Sequence, residues 1–120
     1  MASGYARPRA VLIGKSLGSL AAPVAADLGL PAVWLTPLLK DEPTVRAMRR
    51  AQRPYLLVGG TADEAWDGAV ARSITPHVME VCGADHGMFV PGPLAASAEV
   101  LGKVATAVEI FLDEVAWVPD

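Results

Sequence analysis

Cysteine occurs once in this chain, at Cys82, and histidine twice, at His77 and His86. A single thiol makes no internal disulfide, and so small a set of soft ligands excludes a cysteine-rich zinc site. A reducing, cytoplasmic setting is the simplest expectation. Charged residues make up only 19% and leave a formal charge of -3, so the chain as a whole has no attraction for nucleic acid or an anionic membrane. The opening stretch, residues 1 to 9, has no apolar core of the kind a secretory signal needs, and later apolar runs are broken by proline, glycine and charge. Neither export nor a membrane span is expected.

What is abundant is apolar residue, 52% of 120 positions. That excludes a disordered chain and suits one globular domain over residues 1 to 120, able to bury roughly two-thirds of its unfolded surface. Four short apolar runs, Ala10 to Ile13, Ala32 to Leu35, Tyr55 to Val58 and Val78 to Val81, are each bounded by Gly, Pro or Asp. Helix-like segments alternate with them: Leu17 to Leu28, Thr44 to Gln52, Gly68 to Ile74, and a long one from Ser97 to Val115. Alternation of this kind predicts an α/β fold, a short parallel sheet of about four strands covered by helices. In the last helix Val100, Leu101, Val104, Val108, Phe111, Leu112 and Val115 recur at helical spacing and are expected to face the sheet.

The first apolar run feeds directly into Gly14-Lys15-Ser16-Leu17-Gly18, a Gly-x-Ser-x-Gly pattern. On a tight strand-to-helix turn this pattern makes a nucleophile elbow: the serine takes a strained backbone, small neighbours make room, and the next N–H points at a developing oxyanion. Ser16 is the candidate nucleophile and Leu17 the candidate oxyanion donor. A serine hydroxyl needs a base, and the base needs a carboxylate to fix its tautomer. Asp63 follows the third strand in Gly59-Gly60-Thr61-Ala62-Asp63, and His86 follows the fourth in Gly83-Ala84-Asp85-His86-Gly87. In a parallel sheet all strand C-termini share one edge, so Ser16, Asp63 and His86 converge there. Asp67 is a second candidate for the acid.

In these three segments and their Ser, Asp, His order the chain resembles the C-terminal half of an α/β-hydrolase, from about Ala10 to about Val115, and within that superfamily the small dienelactone-hydrolase-like enzymes. The resemblance implies Ser16 as nucleophile, Asp63 as acid, His86 as general base and then acid, and no metal or organic cofactor. The substrate would be a small-molecule ester or related acyl compound, in an esterase-like reaction through an acyl-enzyme. The family normally carries several strands before the nucleophile strand, one of whose loops gives a second oxyanion N–H. Here about nine residues precede it, so the nucleophile strand is expected at the sheet edge, where an apolar strand invites pairing. The expectation is a homodimer joined near that strand or a chain truncated relative to its relatives.

Other features have blander readings. A phosphate-binding loop around Gly14-Lys15-Ser16 fails on spacing, because Arg9 stands where its first glycine belongs, five positions before Gly14. His77 precedes its strand and so belongs at the opposite end of the sheet. Asp85 is expected to stabilise a turn, Cys82 to be buried and inert, and Arg46, Arg49, Arg50 and Arg53 to form a solvated helical stripe, with an acidic partner or anionic substrate as the sharper alternative. Trp34, Leu35, Thr36, Pro37, Leu38, Trp66, Met88 and Phe89 are divided between core packing and an acyl pocket. Two rival functions stand beside the hydrolase: a non-catalytic remnant of the same fold acting as a binding module, and an acyltransferase using the same three residues.

Overall fold

The computed structural model of the chain describes residues 10–117. Four strands, β1 (Leu12–Lys15), β2 (Ala32–Leu35), β3 (Tyr55–Gly60) and β4 (Val78–Val81), form one parallel sheet in the order β1-β2-β3-β4. Each crossover carries a helix: α1 (Ala22–Leu28), α2 (Glu42–Arg50) and α3 (Gly68–Ile74), with α4 (Leu94–Phe111) after the last strand. The expected α/β architecture is the one observed.

Strand alternation divides the core. Trp34, Tyr55 and Leu57 point to one face and pack with Ala22, Ala25, Met48 and Ala71 from α1, α2 and α3. Val33, Leu56 and Val58 point to the other and meet Val104 and Phe111 of α4. Successive residues of β2 and β3 are thus buried on opposite faces, which is why these strands read as unbroken apolar runs. Tyr55 also ties two helix ends to the sheet. Its hydroxyl lies 3.0 Å from the carbonyls of both Met48 and Ile74, near the C-termini of α2 and α3 where such groups lack helical partners.

Local chemistry sets the boundaries. Asp41 caps α2 through the Thr44 N–H at 3.1 Å, with Pro43 in the first turn, so the helix starts two residues earlier than the pattern suggested. Gly29, at φ 64°, ends α1 in the left-handed conformation. The expected helix from Leu17 begins instead as a 3-10 segment (Ser16–Ala21), and α-helix starts only at Ala22, next to Pro23, which has no N–H to donate. The first strand runs from Leu12 to Lys15 rather than from Ala10, because pairing with β2 continues through Lys15 opposite Leu35. Leu12 donates to the Pro31 carbonyl, so by alternation the backbone groups of Ile13 and Lys15 face outward from the sheet edge. Ile13 is 59% exposed there.

In α4, Val104 and Phe111 are buried and Val100, Val108, Leu112 and Val115 partly so, but Leu101, expected to face the sheet, is 66% exposed. The helix ends in a π turn (Leu112–Ala116). No helix among the described residues is long and apolar enough to cross a membrane.

Candidate active site

Ser16, Asp63 and His86 meet at the C-terminal edge of the sheet. Ser16 directly follows β1, with φ 54°, a conformation that costs an L-residue energy and holds only where surroundings enforce it. The surroundings are visible. A Cβ on Gly14 would stand 2.7 Å from the Trp34 ring and 2.8 Å from the Gly18 carbonyl oxygen, so the turn closes only over glycine. Gly18 differs from expectation, since a Cβ there meets nothing within 4 Å among the described residues. Leu17, 70% exposed, is the second residue of the 3-10 segment, where first-turn N–H groups have no helical partner.

Ser16 Oγ is 2.6 Å from His86 Nε2, and His86 Nδ1 is 2.8 Å from Asp63 Oδ2. A carboxylate only accepts, so Nδ1 carries the proton and Nε2 accepts from the serine hydroxyl. The Asp63 side chain is 3% exposed and that of His86 45%: the acid is enclosed while the base reaches into the open. The other Asp63 oxygen accepts from the Ala65 N–H at 2.9 Å. Asp67 is elsewhere, capping α3 through the Val70 N–H at 3.1 Å.

The loops carrying acid and base are laced together. Ala62 N–H donates to the Ala84 carbonyl at 2.9 Å, Thr61 N–H to that of Val81 at 3.1 Å, and Gly83 N–H to Thr61 Oγ1 at 2.7 Å. Gly60 and Ala84 are packed so closely that no side chain fits on Gly60. Asp85 Oδ1 accepts from the N–H groups of Gly87 and Phe89, both at 2.9 Å, and so forms the turn that presents His86. His77 lies at the other end of β4, its ring edge-on to Phe111 at 5.4 Å. Among the described residues no group of three or more His, Cys, Asp or Glu could hold a metal.

In the search of solved structures, the chain matches an alpha-beta serine hydrolase homologue from Coxiella burnetii, with a TM-score of 0.59 and 22% identity over 82% of this chain and 47% of that one. The two share an α/β-hydrolase fold. The chain spans about half the length of that structure. No family model and no curated protein matches it.

Ser19 was not singled out in the sequence, and Thr36 and Met88 were read there only as core or pocket residues. Ser19, fully buried, donates from Oγ to the Ser16 carbonyl at 2.7 Å and accepts from the Leu38 N–H at 3.0 Å, joining the elbow to the loop after β2. Thr36, at φ 43° and buried, is strained, and it follows β2 as Ser16 follows β1; Met88, at φ 64°, lies in the loop after β4. All three non-glycine residues with positive φ among the described residues thus stand at the C-terminal edge of the sheet.

The aromatic residues sort differently from an acyl pocket. Trp34 and Trp66 are buried in the core, under Gly14 and Gly59 respectively. Leu38 lines an open groove of about 490 Å³ that runs past Asp63 and His86. Met88 and Phe89 line a separate apolar pocket of about 330 Å³ with Leu94 and Leu101. Cys82 corrects the expectation of burial: it is exposed, since it follows β4 at the outer edge of the sheet. Arg46 and Arg50 pair with Glu42 and Asp27 at 2.9 and 2.8 Å on an exposed surface, as a solvated face would.

Proposed function

We propose that the chain is the catalytic part of a serine hydrolase acting on small esters or related acyl substrates. The observation that carries this reading is the continuous chain from Ser16 Oγ to His86 Nε2 to Asp63 Oδ2, at 2.6 and 2.8 Å, built on a strained elbow. As Ser16 Oγ bonds to the substrate carbonyl carbon, its proton passes to His86 Nε2 and the carbonyl oxygen becomes an oxyanion facing the Leu17 N–H. Asp63 stabilises the imidazolium without taking the proton. Collapse breaks the bond to the alcohol oxygen, which takes the proton from His86 Nε2 and departs as the free alcohol, while the acyl group stays bonded to Ser16 Oγ. Water then attacks that acyl group by the same route in reverse and releases the acid.

The test calls for a reagent that reports activation of the serine itself. Labelling with a fluorophosphonate is expected for the wild-type chain and is lost in both Ser16→Ala and His86→Ala. A folded wild-type protein that is not labelled overturns the reading in favour of a binding module of the same fold.

A further inference from the structure

Asp63 belongs to a short loop whose other end is a tryptophan. The Trp66 backbone N–H donates to the Asp63 carbonyl at 3.1 Å, and the Asp63 N–H to that of Gly60 at 3.1 Å, so the loop is closed by its own backbone from Gly60 to Trp66. The Trp66 ring lies flat over Gly59 of β3, in space that any side chain on Gly59 would fill. Its Nε1 donates to Glu80 Oε2 at 2.8 Å. Glu80 stands on β4 directly opposite Gly59 in the sheet register. Room for its carboxylate comes from a second glycine, Gly68, at the start of α3, where a Cβ would collide with Oε2. Arg72 of α3 reaches the same oxygen at 3.3 Å.

We infer that Glu80 is a positioning residue for the triad, fixing the Asp63 carboxylate through the Trp66 indole. The inference rests on Asp63 being the acid of the hydrolase proposed above. Three features single this contact out from an ordinary surface ion pair. The Glu80 side chain is only 31% exposed, two glycines are placed to admit the partners, and the indole it holds closes the loop that begins at Asp63. A carboxylate acceptor also makes a stronger hydrogen bond to an N–H than a neutral one does. Freed from Glu80, the indole can turn on Gly59, and the Asp63 loop loses the stop that sets its distance to His86. Displacements of about an ångström at such distances cost up to roughly a hundredfold in rate.

The test uses the low-field proton resonance of His86 Nδ1–H, which reports the contact to Asp63, together with the rate of fluorophosphonate labelling at Ser16. Trp66→Phe removes the donor together with part of the ring over Gly59; Glu80→Ala removes the acceptor and leaves the indole whole; Glu80→Gln keeps an acceptor and loses the charge. Trp66→Phe and Glu80→Ala are expected to shift or broaden the resonance and slow labelling by roughly ten- to a hundredfold, and Glu80→Gln to restore most of both. Folded Trp66→Phe and Glu80→Gln proteins both indistinguishable from wild type in resonance and labelling, with Glu80→Ala likewise unchanged or unfolded, overturn the inference. A wild-type protein that is not labelled but shows the resonance refutes the hydrolase reading alone, and the resonance in the variants still decides the role of Glu80.

Discussion

The ring of Trp34 occupies the space that a side chain on Gly14 would need: a Cβ there would be 2.7 Å from Cζ3, with the Gly18 carbonyl carbon at 2.9 Å on another side. Trp34 is 2% exposed and lies opposite Gly14 across the β1–β2 pair. Neither the core ring nor the backbone of the turn has room to retreat. The two glycines of the Gly-x-Ser-x-Gly pattern are therefore unequal.

Gly14→Ala is expected to destabilise the protein by about 1–3 kcal/mol through overpacking and to abolish labelling of Ser16, because the elbow must open to relieve the clash. Gly18→Ala, with open space around it, is expected to shift stability by less than about 1 kcal/mol and to keep labelling. Thermal melts and fluorophosphonate kinetics on both variants check this. Equal losses would show that the space around Gly18 is filled in solution.

The two carboxylates that the sequence left open as acids also separate. Asp63→Asn keeps the shape of the loop but offers an amide N–H to the imidazole, which favours the tautomer with the proton on Nε2, unable to accept from Ser16. A loss of roughly four orders of magnitude in rate is expected, as when the acid of such a triad becomes an amide. Asp67→Ala removes only the cap of α3. It is expected to cost about 1 kcal/mol in stability and leave the chemistry intact. Parallel denaturation and single-turnover acylation measurements distinguish the two, and a catalytic defect in Asp67→Ala with normal His86 contacts would reverse the assignment.

The parallel sheet was readable because β2, β3 and β4 are buried or flanked on both faces, leaving apolar runs with turn residues at each end. The clustering of Ser16, Asp63 and His86 was readable for the same reason, since sheet direction alone brings loop residues to one edge. What escaped depends on contacts between residues distant in sequence. Nothing near Ser19 announces that its hydroxyl joins Ser16 to Leu38, and nothing near Trp66 announces Glu80. The periodicity of α4 placed Leu101 with the core because it reports an apolar helix face and not what packs against each position on it. Cys82 was misplaced by a composition habit, its residue type being usually buried, where position on an outer strand decided.

Tyr55 gives the fold a pH limit. Burial pushes its hydroxyl from an ordinary 10.0 up to about 12, with the nearby Arg49 charge opposing the shift. The folded state thus holds this proton more tightly than the unfolded chain. The contribution is fully present below about pH 10 and is lost as pH rises through about pH 12. Tyr55→Phe removes the group and also the hydrogen bonds to Met48 and Ile74, so at neutral pH it is expected to cost about 1–2 kcal/mol. That deficit shrinks across the same alkaline window, because only wild type loses stability from this hydroxyl. Urea titrations of both proteins along that window measure the difference, and the phenolate absorbance of wild type minus Tyr55→Phe reports the ionisation directly. A constant deficit throughout would mean that the buried hydroxyl releases its proton as easily in the folded chain as in the unfolded one, and that its two helix-end contacts contribute independently of its burial.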